Sequence, residues 1–354
     1  MLTAAIAPGT AMSAPGNRKM GYAIVGLGSY ATRQIMPQFA NCESARLVAL
    51  VSGTPAKLER YGAEYGVPRT HLYNYQNFDS IRDNPDIDIV YVVLPVSMHA
   101  EYTIRAASAG KHVLCEKPMA MSSAECEAMI AACRQAGKRL MIGYRCHFEP
   151  HNRLAIELAR AKFVGPTRQI TAAHGFNISA GQWRLDRTMS GGGSLMDIGI
   201  YSLNAARYLT GEEPTEVVAL ESTDGDDPRF RTVEDRIDFT LRFPSGVIAS
   251  CVSSYSSGHN DYRVIGTNGW IAMEPATPYS GHVMHVRKDG VTERRELPPP
   301  VKNQFVAQLD HLPECVSAGN EPIVPGEEGL RDLRIIEAIY RSARERRAVT
   351  LVSA

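Results

Sequence analysis

The chain has no charge excess: its 38 Lys and Arg residues are matched by 38 Asp and Glu residues. Without a broad positive field to gather nucleic acid or an anionic membrane, a small neutral substrate fits better than a polyanion. Long apolar runs are also lacking, and none approaches the ~18 residues that a transmembrane helix needs. Cysteines are few and unpaired in pattern: Cys42, Cys115, Cys126, Cys133, Cys146, Cys251 and Cys315 are odd in number, scattered and free of CxxC. That excludes a disulfide framework and suits buried thiols in a reducing compartment. No His/Cys pair stands at ligand spacing, so no metal site is expected. Internal repeats are missing too. Residues 1–17 are small, interrupted by Pro and Gly, and lack a basic start. The apolar stretch 2–7 is too short for a secretory core, and Arg18-Lys19 is not a twin-arginine signal. Residues 1–19 therefore read as a flexible arm on a cytoplasmic protein, with a remnant of a processed leader as the competing reading.

What is present is enough for about two domains of roughly 100–200 residues, since the chain has 354 residues, 44% of them hydrophobic. From Met20 to about Gly143, β-branched runs alternate with amphipathic stretches. Strands are expected at 22–25, 47–51, 89–94, 112–115 and 140–142, and helices near 32–39, 56–65, 100–109 and 124–135. Such alternation makes right-handed βαβ units and a parallel sheet covered on both faces. Beyond Gly143 the rhythm changes. A helix near 152–161 precedes strand-like runs at 169–173, 216–221, 236–243, 247–255, 262–266 and 270–273. Turn signals such as Pro244-Ser245-Gly246 and Thr267-Asn268-Gly269 join them, which predicts one large, mainly antiparallel sheet. Helices return at 197–208, 303–317 and 327–346.

Two glycines close the first strand. The run Gly26-Leu27-Gly28-Ser29-Tyr30-Ala31 is a GxGxxA sequence leading into helix. The first glycine permits the tight turn, and the second lets the backbone approach a pyrophosphate. The small third residue brings the helix N-terminus close. Its place between a predicted strand and helix is the context that gives the motif weight. At the end of the second strand an NAD enzyme usually carries Asp or Glu for the ribose 2′-hydroxyl. Here stand Val51-Ser52-Gly53-Thr54, with Lys57 and Arg60 nearby, a set that suits a 2′-phosphate and hence NADP. Lys57 as a solvated helix-start lysine is the alternative.

Chemistry-bearing residues gather in two further segments. The fifth strand ends in Cys115-Glu116-Lys117-Pro118, where proline holds Lys117 extended or adopts a cis bond. Open α/β sheets bind ligands beyond the carboxyl ends of their strands, so Lys117 is placed toward a nicotinamide. Further on, the glycine-rich loop of Gly191-Gly192-Gly193-Ser194 enters a helix bearing Asp197 and Tyr201 at i and i+4, on one face. A carboxylate, a phenol and a lysine together make a proton-transfer group. Tyr201 has an ordinary pKa of ~10, and a Lys117 cation beside it would favour phenolate. Asp197 as a helix cap and Tyr201 as a packed tyrosine remain the bland readings. His99 could serve the cofactor or cap its helix. His112 reads as structural, and His147 and His174 as candidates for the rim of the site.

These segments, with LPVSMHAEY, LMIGYRCHF, QWR, VEDRI and PGEEG, resemble the glucose–fructose oxidoreductase and inositol dehydrogenase superfamily over roughly residues 18–350. EKP marks the superfamily. The run GGGSLMDIGIY with Tyr201, where many members have histidine, points to its glucose–fructose and aldose–aldose branch. The resemblance implies an N-terminal Rossmann doubly wound parallel sheet (20–145) and a C-terminal α+β domain on a large, mainly antiparallel sheet (146–354), with C-terminal helices packing back on the first. It implies Lys117, Asp197 and Tyr201 as catalytic residues. Gly26, Leu27, Gly28, Ser29, Tyr30, Ser52, Gly53, Lys57, Leu94, Pro95, His99 and Glu116 are implied at the cofactor. Arg145, Trp183 and Arg184 would enclose nicotinamide and sugar, with Arg145 and Trp183 also touching substrate. The activity implied is oxidation of an aldose at C1 to its lactone with tightly held NADP, a second sugar then being reduced to an alditol in a ping-pong cycle. Glucose–fructose oxidoreductase activity, a conventional NADP-dependent glucose or dihydrodiol dehydrogenase, and a sugar-sensing regulator are the rivals. Two departures bear on the choice: the arm is short for one that covers the cofactor, and Val96 stands where many members carry a polar residue. The large sheet needs a second cover, so a homodimer or dimer of dimers is expected.

Overall fold

The computed structural model describes residues 18–351. Six strands form the first sheet: β1 (Met20–Val25), β2 (Ala45–Val51), β3 (Leu72–Tyr73), β4 (Ile89–Val92), β5 (His112–Cys115) and β6 (Leu140–Ile142). Their order is β3-β2-β1-β4-β5-β6, and every pairing is parallel. Apolar residues fill these strands because helices cover both faces; Tyr22 to Val25 and Ile89 to Val92 are buried throughout. The chain runs outward in one direction from β1 and in the other from β4, so a crevice opens where the order reverses.

The helix expected near 32–39 is not regular. A wide π turn, Ala31–Ile35, gives way to a tight 3-10 stretch, Met36–Asn41. Pro37 has no N–H to donate and its ring crowds the preceding turn, which disfavours a regular α-helix there. The other three helices of this half form at Pro55–Tyr65, His99–Ser108 and Ser123–Gln135. Ser122 caps the last, its hydroxyl accepting from Glu125 N at 3.2 Å.

The second sheet has nine strands: β7 (Thr167–Gly175), β8 (Glu216–Ser222), β9 (Arg236–Arg242), β10 (Ile248–Ser254), β11 (His259–Gly266), β12 (Gly269–Met273), β13 (Met284–Lys288), β14 (Val291–Arg295) and β15 (Val349–Thr350). They lie in the order β14-β13-β12-β11-β7-β10-β9-β8-β15. β7 and β10 pair in parallel and the other neighbours antiparallel. The sequence reading missed β13 and β14. Their Asp289-Gly290 turn, with φ of 50° and 87°, is a hairpin signal, but β14 (VTERR) lacks apolar alternation and lies at the edge.

Helix Ile200–Thr210 covers β7 and β10, and helix Gly326–Glu345 covers β8 while also packing on Ser123–Gln135 of the first half. Helix Gln304–Ala318 packs back in the same way: Asp310 accepts from the backbone N–H of Glu43, Ser44 and Ala45 at 2.8–3.1 Å. One apolar cluster is therefore continuous through both sheets. Among the described residues no helix is long and apolar enough to cross a membrane, and no cluster of His, Cys, Asp and Glu could hold a metal.

Candidate active site

A cleft of about 1190 Å³ opens beyond the carboxyl ends of β1, β2, β4 and β5, walled on its far side by β7 and the turn Leu195–Gly199. Every residue expected from the sequence to touch cofactor or substrate lines it.

One end suits a dinucleotide. Gly26 has φ of 97°, and a Cβ there would stand 2.3 Å from the Val93 carbonyl oxygen. Only glycine fits that approach of β1 to β4. At Gly28 an added Cβ would meet nothing within 4 Å, leaving room for a diphosphate beside the N–H groups that open the Ala31–Ile35 turn. Leu27, Ser29 and Tyr30 complete this wall. Ser52 is buried, its Oγ accepting from Thr54 N at 3.2 Å, and Lys57 Nζ donates to Leu27 O at 3.1 Å. Ser52, Gly53 and Lys57 thus sit together, joined by Arg33, which the sequence reading missed. Arg60 does not join them; it turns toward Glu64 and Tyr61. Among the described residues the carboxylates lining the cleft are Glu116 and Asp197, so no acid waits for a ribose 2′-hydroxyl. These groups fit an NAD(P) dinucleotide.

Leu94 and Pro95 follow β4 along the cleft floor. His99 is buried and does not cap its helix. Its Nδ1 and Nε2 lie 2.9 Å from the carbonyl oxygens of Pro118 and Leu94, so the ring ties two loops together. Burial lowers its pKa. Glu116 is buried beneath, accepting from the Tyr91 phenol and, at 3.3 Å, from Lys117 N; burial raises its pKa.

At the other end the residues expected to transfer a proton come together. The Lys117–Pro118 peptide is cis. Lys117 Nζ donates to the Asp197 carbonyl oxygen, lies 3.4 Å from Asp197 Oδ1, and stands 4.9 Å from the centre of the Tyr201 ring. Asp197 Oδ2 accepts from the Tyr255 hydroxyl at 3.1 Å. Arg184 Nε lies 3.0 Å from the same oxygen, at ion-pair distance but with its N–H aimed elsewhere. Burial alone would raise the pKa of Asp197, but Lys117 and Arg184 outweigh it and hold the group below its usual value, hence as carboxylate. Asp197 is no helix cap: it occupies the π turn Leu195–Gly199, which runs into Ile200–Thr210. Such turns recur at functional sites because they re-aim side chains.

Tyr201 corrects one expectation. Burial dominates and raises its pKa well above the ordinary value; Arg145, not Lys117, is the main charge opposing that rise. The group is a phenol, not a phenolate. Arg145 stands 5.4 Å from its ring and is itself buried, donating to Thr277 O, Pro278 O and Gln304 Oε1 at 2.6–3.0 Å. Trp183 lines the wall with the Arg184 guanidinium 4.6 Å from its ring centre.

The glycine loop before Asp197 is held by buried Glu234, which accepts from Gly193 N at 2.8 Å, Leu195 N at 3.1 Å and Tyr340 Oη at 2.8 Å. A Cβ on Gly192 would fall 2.1 Å from Tyr340 Oη, and one on Gly193 2.1 Å from Glu234 O. Glu234 lies in the VEDRI run, but its hold on the glycine loop was not read from it, and Tyr255 and Tyr340 escaped the sequence reading because lone polar residues carry no motif. Tyr279, also on the cleft wall, escaped for the same reason. Of the histidines, His174 lines the cleft, whereas His147 packs against Tyr208 away from it and burial lowers its pKa to about 3. His112 is structural, its Nδ1 accepting from Arg139 N at 2.9 Å.

Comparison with known proteins adds three findings. Residues 20–144 match the model of an oxidoreductase family's NAD-binding Rossmann fold, and residues 156–351 that family's C-terminal alpha/beta domain. The chain is similar to aldose–aldose oxidoreductase from Caulobacter crescentus, crystallised with glycerol: 62% identity, TM-score 0.93, covering 94% of this chain and 100% of that one. It is also 30% identical over 342 residues to D-xylose 1-dehydrogenase [NADP(+)] of Haloarcula marismortui, covering 93% of this chain and 92% of the relative. A 3-ketoreductase from Actinomadura kijaniata, solved with TDP-benzene and NADP, shares 25% identity at TM-score 0.81, over 92% of this chain and 98% of that one.

Proposed function

This chain belongs to the oxidoreductase family that joins an NAD-binding Rossmann fold to a C-terminal alpha/beta domain, and from that premise we propose that it is an NADP-dependent sugar oxidoreductase of the aldose–aldose kind. It oxidises an aldose at C1 to its lactone and passes the hydride to a second aldose, giving an alditol, while NADP stays bound. The observation that carries this reading is the 62% identity, over 94% of the chain, with the Caulobacter crescentus aldose–aldose oxidoreductase. The clustering of Lys117, Asp197 and Tyr201 in the one cleft supports it.

NADP, when bound, supplies the hydride chemistry. The residues of the chain do the rest. Lys117 holds the sugar's O1 through its ammonium, and Asp197 fixes that ammonium from two of its oxygens. Tyr201 carries one proton back and forth: as a phenol it donates to the carbonyl oxygen of the aldose being reduced, and the phenolate left behind takes the O1 proton of the aldose being oxidised. Trp183 offers an apolar face to sugar C–H groups. Ser52, Lys57 and Arg33 would hold the 2′-phosphate.

One sugar must leave as lactone before the next enters the same cleft, so the kinetics are ping-pong. Incubating the purified protein with glucose alone should yield lactone and alditol in equal amounts, without added cofactor. The kinship with a D-xylose 1-dehydrogenase favours a second reading, in which NADPH is released at each turnover. Strict dependence on added NADP, with NADPH accumulating in solution, would establish that dehydrogenase instead.

A further inference from the structure

Within the cleft one polar atom is left without a partner in a way that fixes its chemistry. His174 lies on β7, is 1% exposed, and lines the cavity. Its Nδ1 is 2.9 Å from Ser202 Oγ, and the Ser202 hydroxyl donates its single hydrogen to Val252 O at 3.0 Å. Nδ1 must therefore carry the N–H and donate to Ser202. Nε2 is then a bare lone pair, and it has no hydrogen-bond partner among the described residues. Burial, followed by the Arg145 cation, lowers the pKa of this ring to about 3, so the lone pair is not lost to a proton at neutral pH. Buried acceptors without partners are rare. The other orphaned imidazole nitrogens among the described residues, on His147 and His282, do not line the cleft.

We infer that His174 Nε2 accepts a hydrogen bond from a second hydroxyl of the bound sugar, one other than the reacting O1, and so selects substrates that carry a hydroxyl donor there. The His174 ring stands 5.7 Å from the Tyr201 ring, tilted by 34°, so one sugar can meet both. A hydroxyl can donate to this atom; a deoxygenated carbon, an ether or a carbonyl oxygen cannot. Sites built to hydrogen-bond a hydroxyl discriminate strongly against analogues that lack it. The assignment rests on the sugar reading of the cleft.

The test compares glucose with its 2-deoxy, 3-deoxy and 6-deoxy analogues on the holoenzyme, for the wild type, His174→Phe and Ser202→Ala. Turnover gives kcat/KM, and quenching of Trp183 fluorescence gives sugar binding independently of turnover. In the wild type, one deoxy sugar should be disfavoured by roughly 10- to 100-fold. In His174→Phe the discrimination at that one position should vanish while the other positions keep theirs. Ser202→Ala removes the group that fixes the tautomer and should shrink the same discrimination, and it decides the matter if His174→Phe does not fold. Discrimination unchanged in both variants would overturn the inference. So would weakened NADP binding with an unchanged deoxy pattern, which would give the lone pair to the cofactor carboxamide. Coupled binding without turnover of any aldose would sink the proposed reaction and leave His174 as assigned. Turnover with uncoupled penalties would do the opposite.

Discussion

At Tyr201, burial raises the phenol's pKa and the Arg145 guanidinium opposes it. A neutral phenol beside Lys117 suits, in the proposed reaction, a proton donor to the aldose being reduced. Tyr201→Phe should therefore leave fold and NADP binding intact while lowering kcat by roughly 100-fold, the usual scale for a positioned proton-transfer group. Lys117→Ala should be more severe, because it removes both the proposed O1 orientation and one of the two charges that hold Asp197 as carboxylate. Near-normal rates in both variants at saturating sugar would show the site to be misplaced. At the nucleotide end Lys57 already spends one donor on Leu27 O, leaving two for a phosphate. Lys57→Ala should cost about 1.5–3 kcal/mol of NADP affinity with little change for NAD. Equal weakening toward both cofactors, measured by titration, would mean that Lys57 only braces the glycine turn. The candidate residues were legible because GxGxxA, EKP and the glycine run are contiguous. Tyr255, Glu234 and Tyr340 were not, since their roles exist only after β9, β10 and Gly326–Glu345 fold against the 191–197 loop.

Among the elements, helix Gly326–Glu345 packs against both sheets. Its Asp332 is fully buried and accepts from Tyr144 Oη at 2.5 Å, Asn204 Nδ2 at 2.6 Å and Arg207 at 2.7 Å. Tyr144 follows β6 of the first sheet, while Asn204 and Arg207 lie on the helix that carries Tyr201. Burial raises the pKa of Asp332 even against the Arg207 charge. Asp332→Ala would strand a buried guanidinium and should destabilise the protein by about 3–5 kcal/mol, read as a fall in the urea midpoint. A loss below about 1 kcal/mol would mean that Glu213 and Glu328, which also pair with Arg207, suffice. Periodicity located this helix but could not reveal that its buried acid reaches three segments. Nor could it foresee the two π turns, Ala31–Ile35 and Leu195–Gly199, where local geometry departs from a regular helix just where the ligand walls are built.

Across the whole molecule, helices cover one face of the nine-stranded sheet and leave the other open. Val218 and Leu220 on β8 are 43% and 66% exposed. These exposed apolar side chains would gain from a cover, and a second copy of the chain is the proposed one. Light scattering at micromolar protein should give a dimeric or tetrameric mass. A monomeric mass would refute the assembly. A charged replacement, Leu220→Glu, should shift any such assembly toward monomer without altering the cleft, which lies on the opposite side of β7.

The amino-acid sequence by itself determined the parallel first sheet, the mainly antiparallel second, the dinucleotide turn and the trio Lys117, Asp197 and Tyr201. Those features rest on local signals: residue alternation, backbone freedom at Gly26 and Gly28, and chemistry carried in short contiguous runs. Tertiary structure decided the protonation of Tyr201, because burial is a property of the assembled cleft and overrides any one nearby cation. It also decided which histidines matter. His147 and His174 look alike in sequence, but only His174 faces the cavity, with its tautomer set by a serine 28 residues away. Charge state, tautomer and exposure depend on neighbours distant in the chain, and no local pattern encodes them.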